Sequence, residues 1–182
     1  MSGKFILRQS TGSCFTRIRA AAIPAILAAS FMAIAPSPSR AAGLSASAHE
    51  AVLAALDDEY HAEAVYRAVI GKFGNVRPFA NIVRSEQQHQ LLMKRILVAY
   101  GKPVPANPWM TGKRKLSPLP STLGAACRIG IEAEKANATL YNRQLLPKVK
   151  SYPEITSAMK ALRDASQYNH LPAFERCAAR MR

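Results

Sequence analysis

The chain has 182 residues, of which 49% are hydrophobic, and a formal net charge of +14. This length suits one domain with a proper core and is short for two. The charge does not denote a nucleic-acid binder: basic residues are scattered along helical positions apart from Lys113-Arg114-Lys115. No cluster of arginines with stacking aromatics and no recognisable module accompanies them.

The first 41 residues hold Lys4, Arg8, Arg17, Arg19 and Arg40 but no acid, and 20–35 is an uncharged run of 16 residues. A basic start, an apolar stretch and then PSPSRAAG, with Ser39 and Ala41 as small residues around Arg40, is the order of a secretory signal peptide cleaved near Ala41. The run is short for a spanning helix, which needs about 20 apolar residues, so no stable membrane span is expected after cleavage. An uncleaved N-terminal anchor is the alternative. Cys14 precedes the apolar run, so no cysteine follows it to carry a lipid. The mature protein, residues 42–182, is expected to be periplasmic or secreted, and its 20 Lys and Arg against 11 Asp and Glu leave a net charge of +9.

Four segments of the mature chain have helical periodicity, and no segment reads as a strand. The first spans about 47–72, opening on the capping-box pattern Ser47-Ala-His-Glu50 and closing near Gly71 and Gly74. The second starts at Pro78, suited to a first helical turn, and ends at Tyr100-Gly101. The third spans about 121–146, stopped by Pro147, and the fourth about 153–181. Between the second and third lies GKPVPANPWMTGKRKLSPLP, with five prolines in 20 residues. An extended linker of that length reaches about 60 Å, enough to run the length of a helix of about 33 Å. Two short loops and one long one predict an all-α four-helix bundle made of two antiparallel hairpins joined by a long Pro-rich crossover.

Each helix carries an apolar stripe that breaks at mid-length. Glu59 and Glu63 interrupt the first, Glu86 and His89 the second, Glu134 and Asn137 the third, and Ser166 and His170 the fourth. A buried carboxylate costs several kcal/mol unless it is paired or binds a metal, so four breaks at one level ask for a common cause. Antiparallel packing sets Glu134 beside His170 and Glu59 and Glu63 beside Glu86 and His89. The same register sets Cys127 beside Cys177, which in an oxidising compartment gives a disulfide or, alternatively, two buried thiols. Glu and His three apart share a helical face and can serve one ion or straddle two, although E-x-x-H alone is a weak signal. A crude repeat reinforces it: Glu59-x6-Tyr66 with Glu86-x2-His89, then Glu134-x6-Tyr141 with Gln167-x2-His170.

With this pattern the chain resembles the rubrerythrin-type branch of the ferritin-like superfamily, whose members hold a di-iron or di-manganese centre. More narrowly, EAVYRAVIGKFGNVRPFANIVRSEQQHQLLMKRILVAYG and ASQYNHLPAFERC resemble a bacterial and archaeal ferritin-like family catalogued as domain of unknown function 2202. The resemblance covers nearly all of 47–178. It implies that Glu59, Glu86, His89, Glu134 and His170 are metal ligands, with Glu86 bridging. Gln167 departs from it, standing where the di-iron pattern has a glutamate, and a neutral amide binds hard cations more weakly. Gln167 is then a hydrogen-bonding neighbour of the site, and Glu63 either such a neighbour or a compensating ligand.

The resulting expectation is an exported ferritin-like protein that binds one or two iron or manganese ions in a carboxylate and histidine site. A dinuclear oxidase or peroxidase-like centre would make it a di-metal oxidoreductase. A non-catalytic metal-binding bundle and a metal-free structural bundle are the alternatives. The missing carboxylate and the basic exterior, which does not draw cations, count against iron storage. The expected partner is the metal ion, with a homodimer as a candidate assembly and no nucleic acid.

Overall fold

The computed structural model describes residues 43–181, so the expected signal peptide, 1–41, lies outside the described residues. Among the described residues every regular element is helical. Helix α1 is Ala46–Phe73 and α2 is Phe79–Ala99. Helix α3, Leu123–Leu140, continues through a π-helical turn, Tyr141–Leu145, into the short α4, Leu146–Val149. Helix α5, Pro153–Ala165, passes in the same way through a π turn, Ser166–His170, into α6, Leu171–Arg180. No helix among the described residues is long and apolar enough to cross a membrane.

Local chemistry explains most of these bounds. Ser45 caps α1, its side chain accepting from the Ala48 amide at 3.2 Å, so the cap lies two residues ahead of the expected Ser47. Gly74 closes it at φ 85°, a left-handed conformation that glycine adopts without a Cβ penalty. Thr122 caps α3. Pro147 does not stop the third helical segment. Proline has no N–H for the i→i−4 ladder and its ring crowds the i−4 carbonyl, and a π turn just ahead of it opens the ladder. The Leu146 amide reaches back to Tyr141 and the Leu171 amide to Ser166, each one residue before a proline, Pro147 or Pro172. Pro172, which would kink a regular α-helix, is thus accommodated by a π turn.

Helices α1 and α2 pack antiparallel, with Gln90 of α2 donating to the Glu59 carbonyl at 3.2 Å. The α3 segment and the α5–α6 segment also run antiparallel, since Arg163 meets Asn142 at one end and Cys127 is joined to Cys177 by a disulfide at the other, with Cα atoms 5.9 Å apart. Residues 101–122 form no α-helix and lie along α1: Tyr60 donates to the Pro105 carbonyl and Lys72 to the Pro120 carbonyl, both at 2.9 Å. Arg114, between those prolines in the sequence, pairs with Asp57 of α1.

Two apolar clusters stabilise the helices, each fully buried Leu, Ile or Phe contributing about 1.5–3 kcal/mol. One holds Val52, Leu56, Met93, Leu97, Ile155 and Met159; the other holds Val69, Phe79, Phe174 and the disulfide. The mid-helix polar residues lie between them. In the second cluster Phe174 packs against Tyr66 and Phe79 with centroids 5.4 and 5.0 Å apart. Gly130 makes room for that ring, because a Cβ there would stand 2.6 Å from Phe174 Cδ1. Gly130→Ala should therefore lower the melting temperature, overpacking by about 1–3 kcal/mol exceeding the roughly 1 kcal/mol gain in helix propensity. Thermal denaturation by circular dichroism checks this, and a raised melting temperature would contradict it.

Candidate metal centre

Glu59 from α1, Glu86 from α2, Glu134 from α3 and His170 from the second π turn are all buried, and His89 from α2 is half-buried beside them. They form two groups that share one residue. Glu59, Glu86 and His89 make the first, and Glu86, Glu134 and His170 the second, each with its ligand-type atoms within 4.8 Å of one another. Glu86 divides its oxygens between them. Its Oε2 lies 3.0 Å from His89 Nδ1, and its Oε1 lies 3.2 Å from His170 Nδ1. His89 Nδ1 is also 3.0 Å from Glu59 Oε2, and His170 Nδ1 is 3.7 Å from Glu134 Oε2.

The outer carboxylates are each held by a tyrosine from the other hairpin. Tyr141 donates to Glu59 Oε1 at 2.8 Å and Tyr66 to Glu134 Oε1 at 2.7 Å, which leaves the second oxygen of each turned to a histidine. Burial, with the neighbouring carboxylate charges, pushes both phenols well above their ordinary range, so they remain donors. Ser166 also donates to Glu134 Oε2. On the far side of the imidazoles a single hydroxyl, Ser85 Oγ, stands 3.3 Å from His89 Nε2 and 3.1 Å from His170 Nε2. The two rings stack with centroids 5.7 Å apart.

Charge balance follows from these distances. Burial opposes a charge on either imidazole, but hydrogen bonds donated to Glu59 and Glu86 hold His89 up to about 10, and those donated to Glu134 and Glu86 hold His170 up to about 9. Burial would also raise Glu86, yet its hydrogen bonds with His170, His89 and Glu59 outweigh burial and hold it below the usual carboxylate range. Burial and the Glu86 charge push Glu59 well above the usual carboxylate range. In the metal-free protein protons thus occupy the places between Nδ1 and carboxylate that cations would take.

Two further residues named from the sequence lie outside both groups. Glu63 Oε1 accepts from Arg67 and Gln87, both at 2.8 Å, and Oε2 from Gln90 at 2.7 Å. It steadies Gln90, and through it the Glu59 backbone, and reaches neither histidine. The internal repeat points to Gln167, but the inward residue is Ser166, which is buried while Gln167 is half-buried and does not line the site. A π turn closes i→i+5 and takes one residue more per turn, so the residue sharing a face with His170 is four back rather than three. Sequence reasoning also passed over Ser85 and Asp58, and placed Asn137 on the third stripe without giving it a role. Asp58, beside the layer, accepts from Asn137 Nδ2 at 2.7 Å, and burial with the Glu86 and Glu134 charges pushes it up to about 6.

No family model, curated protein or solved structure matches the chain.

The raised imidazoles set a pH dependence. An imidazole with a folded value above its unfolded 6.5 contributes stability that is fully present below about pH 6.5 and lost as pH rises through the folded values of about 9 and 10. In chelator the melting temperature of the wild type should fall between pH 7 and 10 more steeply than that of His89→Gln. Scanning calorimetry across that range reads the difference, and equal slopes would contradict it.

Proposed function

We propose that the chain is an exported ferritin-like protein of the rubrerythrin type, two antiparallel helical hairpins joined by a long Pro-rich crossover, whose polar layer holds two iron or manganese ions. One observation carries the reading: Glu86 is shared, one oxygen to each of two carboxylate and imidazole groups. Carboxylate oxygens with imidazole nitrogens, and no thiolate, suit iron or manganese. Glu59 and His89 would hold one ion, Glu134 and His170 the other, with Glu86 between them. When bound, such ions supply Lewis acidity and one-electron redox steps toward oxygen or peroxide.

The chain's own residues prepare that arrangement. Ser85 Oγ can accept an Nε2–H from each histidine, which fixes the tautomer and leaves both Nδ1 lone pairs toward the carboxylates. Tyr66 and Tyr141 anchor one oxygen of Glu134 and of Glu59 and leave the other turned to a histidine, the second oxygen of Glu134 also accepting from Ser166. Gln90 and Glu63 support the backbone that carries Glu59. A metal-free structural bundle is the second reading, favoured by the fact that the carboxylates and imidazoles satisfy one another as they stand.

Elemental analysis separates the two. Protein from iron- and manganese-supplemented growth should carry about two ions per chain, as two-metal sites do. Glu86→Ala combined with His89→Ala should reduce this to background, and an unchanged metal content would overturn the proposal. Ser85→Ala should weaken metal affinity by about 10–100-fold, the usual effect of removing a hydrogen-bond partner of a ligand. Stopped-flow addition of hydrogen peroxide then distinguishes a redox centre, which turns over, from a binding module, which does not.

A further inference from the structure

The polar layer borders a cavity of about 110 Å³ that reaches the surface between α1 and α3, where His61, Val65, Ile129 and Ala133 stand. Ile129 is 50% exposed, and His61 and Ala133 are exposed as well, so this side faces solvent. A second cavity of about 180 Å³ adjoins the first, and His61, Val65, Tyr66, Ile129 and Ala133 line both. The remaining wall of the second is apolar apart from Ser117, with Val69, Phe79 and Ala126 from the helices and Leu116, Pro118 and Leu119 from the long connection. An apolar cavity of about 150 Å³ holds a benzene-sized molecule, so an aryl or branched alkyl group fits there.

The two spaces differ in chemistry. The inner one is polar, and Asn137 lines it. Asn137 Nδ2 is committed to Asp58, while its buried Oδ1 has no hydrogen-bond partner. A carbonyl oxygen buried without a donor is unfavourable, and a bound molecule carrying an O–H supplies that donor. Dioxygen has no proton to offer, and hydrogen peroxide has no apolar body for the outer space.

We propose that these joined cavities bind a small organic molecule with an apolar body and a hydroxyl or hydroperoxyl head, the body under residues 116–120 and the head at Asn137 beside the carboxylate layer. The use of such a molecule as a substrate rests on the metal-binding reading above. Its binding does not, and is measured on metal-free protein. A chain that takes the molecule but no metal would therefore overturn that reading and leave this one standing.

The only tryptophan, Trp109, stacks on His61 with ring centroids 4.3 Å apart and serves as a fluorescent reporter at the mouth. Metal-free full-length protein is titrated with 2-phenyl-2-propanol, with cumene hydroperoxide and with isopropylbenzene, which has the same body and no head. At least one of the first two should bind saturably with a Kd of about 1 mM or tighter, and about tenfold tighter than isopropylbenzene; the tighter of the two identifies the head. Asn137→Leu should erase that advantage. Ala133→Phe, at an exposed position lining both cavities, should weaken all three ligands by about tenfold with the thermal melt retained and Trp109 still the only indole. Ile129→Phe is the second variant should the first not fold. Absence of saturable binding, equal affinity for isopropylbenzene, or wild-type affinity in a folded mouth variant would each overturn the proposal.

Discussion

The fold depends on how one buried glutamate is satisfied. Glu86 lies between two apolar clusters, where an unpaired carboxylate costs several kcal/mol, and each of its oxygens meets the Nδ1 of a different histidine. Glu59 and Glu134, standing on their other sides, join Glu86 in holding those histidines above their ordinary range. The outer glutamates in turn are held by tyrosines that come from the opposite hairpin. Removing any member leaves a neighbour buried and unmatched, so the layer fixes the relative depth of all four helical segments as well as the chemistry between them.

Helix geometry is adjusted to serve that layer. Both π turns fall where a segment passes it, and each begins with a residue that donates to a glutamate of the layer: Tyr141 to Glu59 and Ser166 to Glu134. The prolines that follow remove a ladder hydrogen bond that a π turn has already opened. Packing elsewhere is uninterrupted, with fully buried Leu56, Met93 and Met159 at one end and Phe79 and Phe174 at the other. The irregular turns are thus confined to the level of the site, where an extra residue per turn re-aims a side chain.

Much of this was legible in the sequence because burial makes polar residues conspicuous. Glu59, Glu86, His89, Glu134 and His170 each break an apolar stripe, and one antiparallel register brings them to one depth. Ser85 and Asp58 gave no such signal, since small polar residues are ordinary on helix surfaces and acquire their role only from what faces them; Asn137 broke the third stripe, but its amide gave no hint of the Asp58 contact. Ser166 was visible on the stripe, but the repeat favoured Gln167, because spacing arguments assume 3.6 residues per turn and a π turn departs from it. Pro147 misled for a related reason: a missing N–H ends a helix only where the backbone has no other way to pass it. Ser45 displaced Ser47 as the cap of α1, a shift of the size expected at helix ends.

In the metal-free protein, protons hold the carboxylate layer together; in the proposed holoprotein, cations replace them without moving the ligands far. Glu86 is then the element that makes two ions one centre. The most direct measurement is electron paramagnetic resonance of metal-free protein titrated with Mn²⁺. The account expects an exchange-coupled spectrum that develops as the second ion binds and disappears in Glu86→Ala. Uncoupled six-line Mn²⁺ signals at full occupancy, or coupling that survives the loss of Glu86, would contradict it.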